Sequence, residues 1–393
     1  MTTPKKAKKS NRANFGSVRQ LASGRWQARY PAEDGAPSKA PLTFDTAAAA
    51  WEYISQVRAD RSRGTYTDPK KGERLLSDFA DEWISNGGSR GKLAVRTTEL
   101  YRDILAREIT PTIGGKPIGK VTPAMVRSWH TALGQDLAKR TEKRADGSQR
   151  AATGSARQRQ AYAFLKSILA TAEADGLIGK NPARIVGAGV ARSPERPFMD
   201  VATFALIMSH MPDDLQAPLA LTFGAHLRVG ELVALRRGDL DVKAATLTVE
   251  RQEIAARTGA VITKTKTGTT RKVDLPQVTI DAMDDYLATV PKAMPSAALF
   301  VRKDGTPITR ANMQQNFAKA RTAAGFPMFH LHDVRHSGLT LGAQSGATVR
   351  ELMKRAGHKT TAAAMAYQHA AEERGAVIAS GMNAAMGGLA KKA

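Results

Sequence analysis

The chain has 393 residues and carries 59 Lys and Arg against 36 Asp and Glu, a net charge of +23 at pH 7; such a field favours a polyanionic partner and binds nucleic acid without any base contact. It contains no cysteine, which excludes disulfides, thiol nucleophiles and thiolate metal sites. No apolar run is long enough to span a bilayer and the charged N-terminus is not followed by an apolar stretch, so the expectation is a cytoplasmic, DNA-associated protein of roughly two to three domains with no membrane partner.

Residues 1–14 hold Lys5, Lys6, Lys8, Lys9 and Arg12 and no acidic residue, the composition of a basic flexible arm suited to gripping phosphates. From Phe15 short alternating runs separated by turn residues predict strands at 16–21, 25–30 and 41–44. In the second run Trp26, Ala28 and Tyr30 share one face and Arg25, Gln27 and Arg29 the other. Arg19 joins these as a candidate DNA contact. Asp45 or Thr46 caps a helix through Trp51, Tyr53, Ile54 and Val57, closed by Arg58, Arg61, Arg63 and Gly64. The unit 15–66 is therefore three strands and one helix, with an apolar side for the helix and an Arg-rich side that could enter a groove; the lesser alternative is a small adaptor domain whose arginines are only solvated.

Beyond a linker at 65–72, the segment 73–183 reads as a helical bundle. Its helical patterns run through Leu75, Leu76, Phe79, Trp83 and Ile84, then from 97 to 109, then from Thr122-Pro123 through Val126, Trp129 and Leu133. A polar stretch at 138–154 carrying Lys139, Arg140, Lys143, Arg144 and Arg150 interrupts them, and a last helix runs through Tyr162, Phe164, Leu165, Ile168 and Leu169 to Gly176. Residues 184–196, with Gly187, Gly189 and Pro194, form the linker to a final domain at 197–393. There, helices are expected at 204–211, 218–225 and 309–324, and a small antiparallel sheet from strands at 246–249, 260–263 and 271–275, with Lys266 at its tip. The Ala-rich end at 370–388 offers only Val377, Ile378 and Met382 as apolar marks.

Five pieces of this last domain carry chemistry. Arg228 precedes a helical repeat of leucines, and Lys266, with Lys264 as its competitor, stands before Gly268. His332 and Arg335, at i and i+3, project from one helix face. His358 follows Gly357, and Tyr367 comes nine positions after it. A guanidinium beside an imidazole suits an anion that must be held while protons move, as in a phosphodiester. His332 and His336 could also be half of a zinc site, but Arg335 lies between them and no Cys or helix-borne Glu completes it. Asp333 and Glu231 are expected as structural partners of nearby arginines.

In this order, Arg, Lys, His-x-x-Arg, Gly-His and Tyr resemble the catalytic signature of the tyrosine recombinase (phage integrase) family. The run from Gly24 to Tyr30 resembles that family's arm-type DNA-binding domain, and the bundle, with Pro111, Gly114, Gly115 and Lys180-Asn181-Pro182, its core-binding domain. The fold class implied is multidomain α+β: a small three-stranded sheet plus helix, an all-α core-binding bundle, and a mainly α catalytic domain with a small antiparallel sheet. The resemblance implies a DNA breaking and rejoining enzyme that integrates or excises a mobile element in a bacterial host. Tyr367 would be the nucleophile, Arg228, Arg335 and His358 would bind the phosphate, and Lys266 and His332 would handle protons. No metal or other cofactor is implied. The implied partners are double-stranded DNA at core-type and arm-type sites, three further copies of the chain in a homotetramer, a DNA-bending host factor and a directionality factor. A C-terminal helix often docks on a neighbouring subunit in this family, but the segment here is poor in large apolar residues. Two alternatives share part of these features: a type IB topoisomerase, which should lack the front domain, and a noncatalytic DNA-binding regulator, which has no need to assemble Arg228, Lys266, His332, Arg335 and Tyr367.

Overall fold

The computed structural model describes residues 15–32, 35–64, 66, 70–142, 152–190, 198–257, 259–265, 268–358, 360–361, 365 and 375–386. The basic arm at 1–14, part of the polar stretch (143–151), residues 191–196 of the linker and Pro197 lie outside them. The chain divides into two compact units, 1–193 and 194–393.

The first unit contains two separate apolar cores. The smaller one begins with β1 (Ser17–Gln20), β2 (Trp26–Pro31) and β3 (Pro37–Lys39), an antiparallel sheet in the order β1-β2-β3. Helix α1 (Ala47–Ser62) follows, its N-terminus capped by the Thr46 hydroxyl, which accepts from the Ala49 amide at 3.2 Å. Ala28, Tyr30, Ala40, Ala50, Ile54 and Val57 form the core. The third strand lies earlier than the expected 41–44. Its inward position is Ser38, with buried Ala40 just beyond its end, which together give almost no apolar signal, and Phe44 makes only an isolated bridge to Trp26.

The larger core is the helical bundle: α2 (Leu76–Ser85), α3 (Val95–Ile104), α4 (Pro123–Glu142) and α5 (Ala152–Ala174). The chain leaves α3 in wide π-helical turns over Leu105–Gly114, around Pro111, which has no amide hydrogen to give a regular helix. Trp83, Tyr101 and Phe164 meet at the centre, Tyr101 and Phe164 stacked at 4.3 Å, and the Trp83 indole donates to Thr171 Oγ1 at 2.8 Å. The polar stretch expected from 138 begins late, because α4 runs on to Glu142. Arg140 is used there: with Arg157 it neutralises the buried Glu108 carboxylate, at 3.4 and 3.3 Å.

The second unit is mainly helical. Its described elements are α6 (Val201–Ser209), α7 (Asp213–Gly224), the short α8 (Val229–Leu232), β4 (Leu240–Asp241), β5 (Thr246–Val249), β6 (Arg251–Ala256), β7 (Gly259–Lys264), β8 (Arg271–Asp274), α9 (Gln277–Thr289), α10 (Arg310–Ala323), α11 (Leu331–Gln344), α12 (Val349–Ala356) and α13 (Gly375–Met386). The core runs through Phe204, Leu219, Leu232, Leu247, Met283, Phe317 and Val334. The single sheet expected from three strands is divided: β4-β5-β8 form one sheet and β6-β7 a separate hairpin. The hairpin closes at the Ala256–Gly259 end and is open at Arg251–Lys264. Lys266, expected at a sheet tip, falls in the sequence between β7 and β8 and lies outside the described residues. The pairing Val249↔Arg271 continues the β5-β8 register past that insertion, and sequence alternation alone could not reveal that β6 existed between them. Among the described residues, no helix is long and apolar enough to cross a membrane.

Candidate active site

Helix α7 ends in a left-handed residue, His226, at φ 54°, a conformation costly for a side chain with a Cβ and tolerated where surroundings fix it. Here they do. Its carbonyl accepts from Arg335 Nη1, and its Nε2 accepts from Arg355 Nε at 3.2 Å. Burial, then the charges of Arg355 and Arg335, push its pKa down to about 3, so the ring is neutral. The next helix, α8, begins on Arg228, whose extended backbone (φ −77°, ψ 146°) presents its amide to Glu231 Oε2 at 2.9 Å while its Nη1 donates to Oε1 at 2.9 Å.

Glu231 is fully buried. Burial alone would raise its pKa; hydrogen bonds and charge from Arg271, the Arg228 amide and the Arg335 charge outweigh that and hold it at about 2. Three guanidinium groups meet at this carboxylate. Arg271 forks onto it with Nη1 to Oε1 at 3.1 Å and Nη2 to Oε2 at 2.7 Å, and Arg335 Nη1 stands 3.7 Å from Oε2.

Arg335 comes from α11 and is itself 1% exposed. Its Nη2 donates to the Ala356 carbonyl at 2.6 Å and lies 3.3 Å from His358 Nε2. Helix α11 reaches this depth because Gly338 faces the end of α7; a Cβ there would fall 2.2 Å from the Phe223 carbonyl oxygen. His358 arrives by a different device. Gly357 ends α12 in the left-handed region (φ 64°), and the His358 amide turns back onto the Met353 carbonyl at 3.0 Å. Burial first, then the charges of Arg335 and Arg228, lower the His358 pKa to about 4. His332 is exposed one turn before His336, the two rings edge to face at 4.5 Å.

Of the residues singled out from sequence, Arg228, Arg335 and His358 are thus gathered around one buried carboxylate, and His332 shares the helix of Arg335. Lys266 and Tyr367 lie outside the described residues. The flanks of Lys266 are fixed: the Gly268 amide donates to the Thr265 carbonyl, and Thr265 Oγ1 to the Thr269 carbonyl, both at 2.8 Å. Glu231 is the arginine partner expected. Asp333 accepts from the His330 amide at 2.7 Å, serving the start of α11. Arg271, Arg355 and His226 carry no motif that marks them in the sequence. For Arg271 a weaker signal exists: in β8 it shares the inward parity of Val273.

In the front sheet, Arg19 is exposed and donates to Gln27 Oε1 at 3.2 Å, and Arg29 lies opposite Ser17 and Lys39. Arg25 is engaged within the domain, donating to Thr43 Oγ1 at 2.7 Å, to the Thr43 carbonyl at 2.6 Å and to Asp45.

Residues 199–374 match the phage integrase family and residues 14–63 the phage integrase N-terminal domain. The chain is 33% identical over 383 residues to the putative prophage phiRv2 integrase of Mycobacterium tuberculosis, covering 94% of this chain and 96% of that one. It is 28% identical over 391 residues to the integrase of Mycobacterium phage L5, covering 95% and 98%. In fold it is similar to the Tn1549 transposon integrase in complex with a circular intermediate DNA, with a TM-score of 0.63 at 18% identity over 75% of this chain and 94% of that chain. It is also similar to a lambda integrase tetramer bound to a Holliday junction, at 0.55 and 16%, over 88% and 96%.

Proposed function

This chain belongs to the phage integrase family, and on that footing we propose how its residues break and rejoin DNA. The chain is a site-specific tyrosine recombinase that integrates or excises a mobile element. The observation that carries the assignment of residues is the meeting of Arg228 and Arg335, distant in sequence, at one buried carboxylate with His358 beside them. Two cations and an imidazole so arranged suit a phosphodiester whose nonbridging oxygens gain charge during displacement.

In this reading the Tyr367 oxygen attacks the scissile phosphorus, the bond from phosphorus to the 5′ oxygen breaks, and a 3′-phosphotyrosyl link forms. A phenol with an ordinary pKa of about 10 needs help to react. His332 takes its proton, Lys266 gives one to the departing 5′ oxygen, and Arg228 and Arg335 hold the nonbridging oxygens. His358, kept neutral by its surroundings, can hydrogen-bond the phosphate without adding charge. Attack by a 5′ hydroxyl from a partner strand runs the same steps backwards; the bond energy is kept in the phosphotyrosine, so rejoining consumes no nucleotide.

The domains that serve this reaction are the arm-type domain at 15–66, the core-binding domain at 73–183 and the catalytic domain at 197–393, joined through 184–196. Exchange between two duplexes requires four strands to be cut, one nucleophile for each, which favours a homotetramer on DNA. Binding core-type and arm-type sites with one chain requires the intervening duplex to bend, which favours a bending host protein, with a directionality factor to set the sense of reaction.

The test is a nicked suicide duplex copied from the junction between the element and its chromosome. A covalent protein–DNA adduct forms with the native chain and is lost in Tyr367→Phe. An adduct of undiminished yield in that variant would overturn the assignment.

A further inference from the structure

Glu231 has four acceptor positions, two on each oxygen, and the structure fills all four. Oε1 receives Arg228 Nη1 and Arg271 Nη1; Oε2 receives the Arg228 amide and Arg271 Nη2. Arg335 Nη1, at 3.7 Å, shares the carboxylate's charge but lies beyond hydrogen-bond reach of it. Arg271 therefore takes half of the carboxylate's capacity. It also tips the charge balance, because three guanidinium groups share one negative charge and the cluster stays cationic towards an incoming phosphate.

The same side chain reaches a third segment. Its Nε donates to the Arg355 carbonyl at 2.9 Å, two residues before the glycine that turns the chain to His358. A Cβ on Gly357 would sit 3.3 Å from Arg271 Nη1, so the guanidinium lies directly beneath that turn. One buried side chain of β8 thus joins the carboxylate of α8 to the end of α12.

We propose that Arg271 is a positioning residue for the phosphate grip: by saturating Glu231 it keeps that carboxylate from capturing Arg335, and by holding the Arg355 carbonyl it sets the turn that carries His358. The inference rests on the reading of Arg228 and Arg335 as phosphate-binding residues. Its consequence is a defect tied to the charge on the phosphate. Without Arg271, two acceptor positions on Glu231 open, and Arg335 is drawn to them and away from the nonbridging oxygens.

The test uses full-length protein, R271Q and R271K, on the nicked junction duplex carrying either an ordinary scissile phosphate or a methylphosphonate. In the latter, methyl replaces one nonbridging oxygen and removes the charge the arginines hold. R271Q is expected to bind the duplex within about twofold of the native protein, since most affinity comes from other phosphate contacts. It should cleave the phosphate substrate about 100-fold more slowly, the scale of a misplaced catalytic group. On the methylphosphonate its deficit should shrink to about tenfold or less, R271K should lie between R271Q and the native protein on the phosphate substrate, and R228A, as control, should recover in the same way. If R228A recovers while R271Q is equally slow on both substrates, Arg271 is merely structural and the inference falls with the phosphate-grip reading intact. If R228A fails to recover, that reading falls and takes the inference with it. Should R271Q not fold, R271K keeps the charge with fewer donors and is read against the same outcomes.

Discussion

Arg335 shows how far function at a single residue is bound to folding. Its guanidinium is buried, donating to the His226 and Ala356 carbonyls beside a carboxylate that Arg228 and Arg271 already satisfy, so Arg335→Ala leaves the two carbonyls without their donor. A loss of about 2 to 6 kcal/mol is expected from leaving two buried acceptors unpaired, measurable as a lower urea midpoint of the second unit, along with loss of cleavage. His226, buried, and His358, half-buried, give a pH dependence with a definite sign. His226 and His358 are neutral in the folded protein, with pKa values of about 3 and 4 against 6.5 in the unfolded chain. Their contribution to stability is complete above pH 6.5 and declines as pH falls towards those values. Thermal unfolding should therefore move to lower temperature between pH 7.5 and 5, and His226→Gln should flatten that dependence. Arg228, His332, Arg335 and His358 could be named from sequence because their spacing follows a pattern; Arg271 and Arg355 could not, because a long cation in a strand or helix usually ends in solvent, and only the fold shows these two turned inward.

At the scale of elements, helices with strong apolar periodicity were legible and short inserted strands were not. The four bundle helices follow the spacing of their Trp, Phe, Ile and Leu residues. By contrast β6 runs Arg-Gln-Glu-Ile-Ala-Ala from Arg251 to Ala256, with no apolar alternation and no buried position, so nothing in its pattern separates it from a loop. The division into two sheets follows from that inserted strand. Helix α9, carrying Ile280, Met283 and Tyr286 into the core, was likewise not legible among its Asp and Thr residues. The approach of α11 to α7 depends on a missing side chain. Gly338→Ala would push a methyl into the Phe223 carbonyl and the His226 ring, and about 1 to 3 kcal/mol of destabilisation is expected from such overpacking. Because the shift moves Arg335 as well, cleavage should fall more than the folded fraction does when both are measured at one temperature.

For the whole molecule, the charge of +23 implies that affinity for DNA is set largely by counterion release. Binding to the junction duplex should weaken by about a thousandfold or more between about 50 and 200 mM salt. Replacing Arg19 and Arg29 together should lower the slope of log affinity against log salt by roughly 0.9 for each phosphate that is no longer neutralised, in fluorescence anisotropy on arm-site DNA. In the proposed reaction the labour divides between many basic side chains that would hold the duplex and one small cationic cluster, built from α8, β8, α11 and the turn after α12, that would act on a single ester. The most direct measurement is mass spectrometry of the protease-resistant peptide that stays attached to DNA after reaction with the nicked duplex. The account predicts a peptide spanning Tyr367 joined through its phenol oxygen to a 3′ phosphate. A link at any other residue, or to a 5′ phosphate, would contradict it.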